Sequence, residues 1–296
     1  MNIIFFGSST DSVIVLDTLH KKFPVSCVIT QPAKPVGREK IITPTPVATW
    51  AKNHTVPVLS FPQDAKNSWK FARDEDVVNS VETFKPDLIV TACFGQKIPA
   101  ELIGKTPHGA INVHPSILPR WRGGDPVPWT ILAGDAQTGV TITTVTKNFD
   151  DGKILAQKKI PVTEKISTHE LRTELFTLGA HLLIETLPDY LSGKNKGVEQ
   201  NNENATVARR LNRDDGFVEW NEFVGALEKN APELERKYRA FFPWPGLWTK
   251  ISIHGVERRL KIVNLLTVNG QLLPQVVQLE GKKPVDWKTF EKAYLR

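Results

Sequence analysis

Cysteine is scarce in this chain of 296 residues: Cys27 and Cys93 are the only two. Each lies inside an apolar run, so both read as small buried thiols, with neither a disulfide framework nor a cysteine-based metal centre. A reducing, cytoplasmic setting fits that usage. No stretch of 18 apolar residues occurs, which argues against a membrane-spanning helix. The opening Met1-Asn-Ile-Ile-Phe-Phe-Gly7 carries no basic segment and reads as a buried strand, not a signal peptide. The turn that follows, Gly7-Ser-Ser-Thr-Asp11, lacks the G-x-G-x-x-G spacing, so a dinucleotide site has no support and a plain strand-to-helix turn accounts for it. Histidine and cysteine nowhere cluster with ligand spacing, so no metal is expected.

What is present is an ordinary soluble composition, 40% hydrophobic and 24% charged, with enough length for two domains. The net charge of +6 is uneven: residues 205–296 hold 16 Lys and Arg against 11 Asp and Glu. A basic C-terminal third suits a polyanionic partner, although charge alone favours the plainer reading of a solvated basic surface.

Short runs rich in Val, Ile and Phe recur at Asn2–Phe6, Val25–Ile29, Asp87–Ala92, Ala110–His114 and Val140–Thr146. Helix-compatible stretches separate them, among them Asp11–Lys21 and Pro46–Asn53. Ser167-Thr-His-Glu170 reads as a capping box opening a helix whose Leu171, Leu175, Leu178 and Leu182 share one face. Strands alternating with helices predict an α/β fold with a doubly wound, mostly parallel sheet over residues 1–188. Polar residues 189–206 read as a linker. Residues 207–296 change pattern, with a leading helix at Asn221–Arg239 and β-prone runs at Trp248–Ile253, Arg259–Leu265 and Gln275–Leu279, and Asn269-Gly270 as a hairpin turn. A small antiparallel β-barrel is the economical reading of that part.

The informative run is Ala110-Ile-Asn-Val-His-Pro-Ser-Ile-Leu-Pro-Arg-Trp-Arg-Gly-Gly124. On a strand, Asn112 and His114 point to one face, because side chains alternate with period two. An amide that can hold an oxyanion and an imidazole that can move a proton then share one small volume. Asp150, in Asn148-Phe-Asp-Asp-Gly152, is the carboxylate that can fix the imidazole's tautomer. Asp151 competes for that role, and a turn-forming aspartate would explain either residue. Both His114 and Asp150 fall at or past the end of a strand, where ligands of such sheets sit. The trio is equipment for acyl transfer without a covalent enzyme intermediate.

This sequence resembles the methionyl-tRNA formyltransferase family almost end to end. Asn112-Val-His-Pro-Ser-Ile-Leu-Pro-Arg-Trp-Arg-Gly123 is similar to its signature, and Ala133-Gly-Asp-Ala-Gln-Thr-Gly-Val-Thr-Ile142 continues it. The resemblance implies a Rossmann-like catalytic domain, a linker and a C-terminal domain of the oligonucleotide-binding fold. It implies Asn112, His114 and Asp150 as catalytic residues and Ser116, Ile117, Leu118 and Pro119 as the folate-binding loop, with the pterin lying against that loop and Val90–Gly95. The implied formyl donor is 10-formyltetrahydrofolate and the implied acceptor is the α-amino group of methionine on charged initiator tRNA. Lys34, Arg38 and Lys40, in Thr30–Lys40, would grip the tRNA. No metal or membrane enters this picture, and a monomer is expected. An N-formyltransferase for an amino sugar nucleotide is the rival enzyme, and a catalytically idle tRNA-binding module is the rival of another kind. Four features depart from the family pattern: Gly7-Ser-Ser-Thr-Asp-Ser12 after the first strand, Phe94, Gly124-Asp125, and an added turn at residues 229–235.

Overall fold

The computed structural model describes residues 1–37, 39–229, 231–268 and 271–295. They form two compact units. The first takes in Met1–Pro126, Gln137–Pro161 and Arg172–Ala208; the second takes in Val127–Ala136, Val162–Leu171 and Arg209–Arg296.

In chain order the elements up to the middle of the sequence are β1 (Ile3–Phe6), α1 (Thr10–Lys22), β2 (Val25–Thr30), β3 (Lys34–Val36), β4 (Ile41–Thr43), α2 (Pro46–Asn53), β5 (Val58–Ser60), α3 (Asp74–Glu82), β6 (Leu88–Thr91), α4 (Ala100–Lys105) and β7 (Ala110–His114). There follow α5 (Pro126–Ala133), β8 (Gln137–Thr144), β9 (Ile154–Pro161) and α6 (Thr168–Leu191). Seven strands make one sheet in the order β5-β2-β1-β6-β7-β8-β9. The first five run parallel, and β8 and β9 continue the sheet antiparallel.

Both faces of this sheet are covered, which is why β1 and β6 are buried at every position instead of alternating. Ile3 and Phe5 enter one core with Val28, Val90, Ile111 and Val113, while Ile4 and Phe6 enter another with Cys27, Ile29, Ile89 and Ala110. Because Ile111 and Val113 are committed to the first core, period two turns Asn112 and His114 to the opposite face. Helix starts follow their caps. Ser9 and Ser12 form a capping box on α1, and Thr45 caps α2 with Pro46 in its first turn. The Ser167–Glu170 box also forms, the Ser167 N–H donating to Glu170 Oε2 at 2.9 Å.

Residues 189–206, expected as a linker, lie within the first unit. Ile154 and Val198 exchange backbone hydrogen bonds, and Arg122 pairs with Val207 in a parallel bridge. Polar composition reads as a linker, but this backbone finds its partners at the start of β9 and on the loop after β7.

The second unit adds α7 (Trp220–Glu228), α8 (Pro232–Phe241), β10 (Leu247–Ile253), β11 (Val256–Val268), β12 (Gln271–Leu279), β13 (Val285–Asp286) and α9 (Trp287–Tyr294). Its four strands pair antiparallel in the order β10-β11-β12-β13. The single helix expected over Asn221–Arg239 is two helices. Pro232 has no N–H to donate and its ring clashes with a preceding turn, so it starts α8 instead of continuing α7. His254-Gly255, both at positive φ, make the two-residue turn between β10 and β11. The Asn269-Gly270 turn lies outside the described residues. Among the described residues no helix is long and apolar enough to cross a membrane.

Candidate active site

At the end of β7, Pro115 closes the strand and the chain turns sharply, with Ser116 N–H donating to His114 O at 2.9 Å. The Ser116 hydroxyl donates to Arg120 O at 2.7 Å. Two side chains from β8 and β9 hold the loop from outside. Thr141 Oγ1 donates to Ser116 O at 2.7 Å and accepts from Leu118 N–H at 3.1 Å. Gln157 Nε2 donates to Leu118 O at 2.8 Å and to Thr141 Oγ1 at 2.9 Å. Ser116 to Pro119 are therefore positioned by polar contacts that nothing in their own sequence announces.

His114 is 3% exposed. Its Nε2 lies 2.9 Å from Trp121 O and its Nδ1 lies 3.5 Å from Asp150 Oδ1. A carbonyl only accepts, so Nε2 carries a proton in this geometry, and the carboxylate offers the other nitrogen a second acceptor. Asn112 Nδ2 donates to the same Asp150 Oδ1 at 3.2 Å. The other carboxylate oxygen accepts from Gly123 N–H at 2.9 Å. One carboxylate thus orients both candidate catalytic side chains, and the Asn112 amide keeps a second N–H for a substrate oxygen.

Backbone in unusual conformations delivers these groups. Trp121 has φ 62° and Asp150 has φ 53°, left-handed values that cost non-glycine residues and concentrate at functional sites. Gly123 has φ 110°, and a Cβ there would lie 2.7 Å from Ala208 O. Behind Asp150, Gln200 Nε2 donates to Asp150 O at 2.9 Å and to Gly152 O at 2.7 Å. Gln200 in turn accepts from Arg122 Nε at 3.0 Å, and Arg122 reaches Asn202 Oδ1 at 2.8 Å. Arg122, Gly123, Thr141, Gln157 and Gln200 were missed as site residues by sequence reasoning. The arginine-rich loop beside His114 was the one available signal, since the others act across long sequence separations.

Asp151 points elsewhere. Burial alone would raise its carboxyl, but bonds from the Thr146 hydroxyl and from Asn148 Nδ2 (2.7 Å) outweigh that and hold it below the usual carboxylate value. Lys34 begins the exposed ribbon β3–β4, donating to Gln31 Oε1 at 2.9 Å and Gln63 Oε1 at 3.3 Å, and Lys40 is exposed at the ribbon's turn. Neither is hydrogen-bonded or ion-paired to the trio, and Arg38 lies outside the described residues. Val36, Ile41 and Ile42 of the ribbon are also exposed.

Two of the sequence departures meet in space. Arg172 Nη1 lies 3.5 Å from Asp11 Oδ2, and its Nη2 pairs with Asp125. Cys93 is close to this group, and burial, with a smaller contribution from the Asp11 charge, pushes its thiol up to about 12. Among the described residues no group of His, Cys, Asp and Glu could hold a metal ion.

A formyl transferase family model matches residues 1–187. A methionyl-tRNA formyltransferase of Listeria welshimeri is 37% identical over 301 aligned residues, covering 97% of this chain and 94% of that protein. The chain belongs to the methionyl-tRNA formyltransferase family. Another member, from Enterococcus faecalis, is 36% identical over 95% of this chain and 85% of its own length. Solved structures show the same fold at low identity. The methionyl-tRNA formyltransferase from Clostridium thermocellum superposes with a TM-score of 0.59 at 14% identity, over 97% of this chain and 99% of that one. An N-formyltransferase from Helicobacter canadensis, solved with folinic acid and dTDP-3-aminofucose, gives 0.60 at 18%, over 90% and 88%. HypX from Aquifex aeolicus, in complex with tetrahydrofolic acid, gives 0.63 at 15% over 99% of this chain, which spans about half (47%) of that protein's length.

Proposed function

We propose that the protein transfers the formyl group of 10-formyltetrahydrofolate to the α-amino group of methionine carried by initiator tRNA. The observation that carries this reading is the single oxygen, Asp150 Oδ1, shared by Asn112 and His114, in a chain whose family transfers formyl groups.

The neutral amine attacks the formyl carbon, forming a C–N bond and a tetrahedral oxyanion. Asn112 donates its remaining N–H to that oxyanion, a role worth a rate factor of about 10² to 10³. The C–N10 bond then breaks as the proton lost by the amine reaches N10. His114 relays that proton or stabilises the passing charge, a contribution of about 10² to 10⁴. Asp150 orients His114 through the contact of its Oδ1 with Nδ1. Ser116, Ile117, Leu118 and Pro119 hold the folate through their fixed backbone. Lys34, Arg38 and Lys40 meet the acceptor end of the tRNA, and the basic C-terminal residues meet phosphates further along. The reading makes the protein a monomer of the cytoplasm that requires no metal.

Purified protein supplied with the folate donor and either charged initiator tRNA or amino sugar nucleotides tests this directly. Formyl-methionyl-tRNA is the expected product. Formylation of the sugar nucleotide alone would overturn the tRNA assignment, and no transfer at all would leave an idle binding module.

A further inference from the structure

Three stretches far apart in sequence enclose a cleft of about 730 Å³ within the second unit. They are the end of α5 with the turn into β8, the segment just after β9, and α8 with the facing ends of β11 and β12. None of Asn112, His114 and Asp150 lines it. A volume of that size is ordinary for a site that holds a small organic molecule. Ile131 and Leu272, both buried, give the cleft an apolar floor. From α8 it receives Pro232, Glu235, Arg236 and Arg239, which share one helix face by their spacing of three and four.

The two arginines of that face are used differently. Arg239 Nε donates to Glu235 Oε1 at 2.6 Å, and its Nη1 donates to Ile166 O at 3.0 Å. Arg236 Nε is buried and has no hydrogen-bond partner among the described residues. Its side chain packs along Gly134, with Cδ, Nε and Cζ lying 3.7, 3.8 and 3.9 Å from where a Cβ would stand. The glycine thus leaves room for the guanidinium and limits its swing. A buried cationic N–H without an acceptor is costly, so the position suits an acceptor that arrives from solution.

We propose that this cleft binds a small organic carboxylate, a monoanion with an apolar body, whose charged end meets Arg236. Nε–H and one Nη–H of a guanidinium match the two oxygens of a carboxylate. Asp135, Glu164 and Glu235 also line the cleft and offset Lys165, Arg236 and Arg239. One negative charge therefore answers the unpaired donor, whereas a phosphate dianion meets the remaining acids. Ile131 and Leu272 receive the apolar body. A tRNA phosphodiester carries a single charge too, but it brings further phosphates on either side past Glu164 and Asp135.

The test titrates benzoate into the full-length protein while the methyl NMR signals of Ile131 and Leu272 are followed. Saturable shifts at millimolar benzoate are expected. Benzamide has the same shape without the charge and should bind roughly tenfold more weakly, the loss of one charge-assisted hydrogen bond. Arg236→Met should weaken benzoate by at least a similar factor, and Arg236→Lys, which keeps the charge but not the fork, should recover only part. The benzamide comparison needs no variant, so it decides even if Arg236→Met fails to fold. Absence of saturable shifts, equal binding of benzamide, or benzoate binding that survives Arg236→Met in a folded protein would overturn the site. Tighter binding of inorganic phosphate than of benzoate would overturn the carboxylate assignment. So would displacement of benzoate by charged tRNA together with a higher KM for tRNA in Arg236→Met. The formylation assay above is scored separately, because the cleft stands whether or not that reading holds.

Discussion

Asn112 Nδ2 donates at 3.2 Å to the same Asp150 oxygen that faces His114 Nδ1 at 3.5 Å. Three side chains that meet at one atom act as a unit. Asn112→Ala, His114→Ala and Asp150→Ala should each remove most of kcat, and the double variants should lose little more than the worse single one. Asp151→Ala should be far milder, because its carboxylate serves Thr146 and Asn148. Single-turnover rates for the set decide this; an Asp151 variant slower than the Asp150 variant would reassign the carboxylate.

Gly123 both supplies the N–H that holds Asp150 Oδ2 and occupies a backbone conformation that a side chain resists. Gly123→Ala should destabilise the fold by about 1 to 3 kcal/mol, through positive φ and the clash with Ala208 O. It should also lower kcat, since Asp150 loses its support. Urea unfolding and turnover measured on one preparation check both; full activity at reduced stability would detach Gly123 from the chemistry.

Thr141 is fully buried, and its hydroxyl has three partners, Ser116 O, Leu118 N–H and Gln157 Nε2. Thr141→Val keeps the shape and strands those partners, at a cost of about 1 to 3 kcal/mol for a buried unpaired group. The expected kinetic signature is a KM that rises more for the folate donor than for tRNA, as also for a bulky replacement of Leu118. Equal rises in both constants would indicate a general loosening instead.

Neutralising phosphates releases counterions, so the KM for charged tRNA should climb steeply with added salt while that for the folate donor moves little. Lys34→Ala and Lys40→Ala should each flatten that slope, and Arg38→Ala should raise the KM for tRNA in the same direction. A salt response that is identical for both substrates would argue against phosphate contacts.

Asp215 in the second unit gives a pH prediction of definite sign. The bidentate Arg209 guanidinium, against a smaller burial penalty, holds its carboxyl below the usual carboxylate value, with Asn212 N–H adding to the effect at 2.7 Å. A depressed folded-state value contributes stability above the unfolded value of about 4, and that contribution is lost as pH falls through the folded value. Asp215→Asn should therefore melt below wild type at pH 7, with the gap closing in acid. Melting curves at the two extremes test it, and a gap independent of pH would show the contribution is not ionic.

How much was legible beforehand depends on how far apart the cooperating residues lie. Period two alone put Asn112 and His114 on one strand face, and apolar runs such as Ile3–Phe6 announced a sheet buried on both sides, because local sterics and alternation act within a few residues. The helix expected through Pro232 failed for a local reason that the proline itself carried, its missing N–H. Sequence spacing left Asp150 and Asp151 open. The fold gives them different partners, bringing Gly123 N–H to one carboxylate and leaving the other to its own turn. The fold likewise recruited Thr141 and Gln157 to the loop after His114 and Gln200 to the backbone of Asp150, and laid Arg236 along Gly134. Such contacts join residues tens of positions apart, and their distances are set by sheet order and loop path, which no single stretch of sequence encodes.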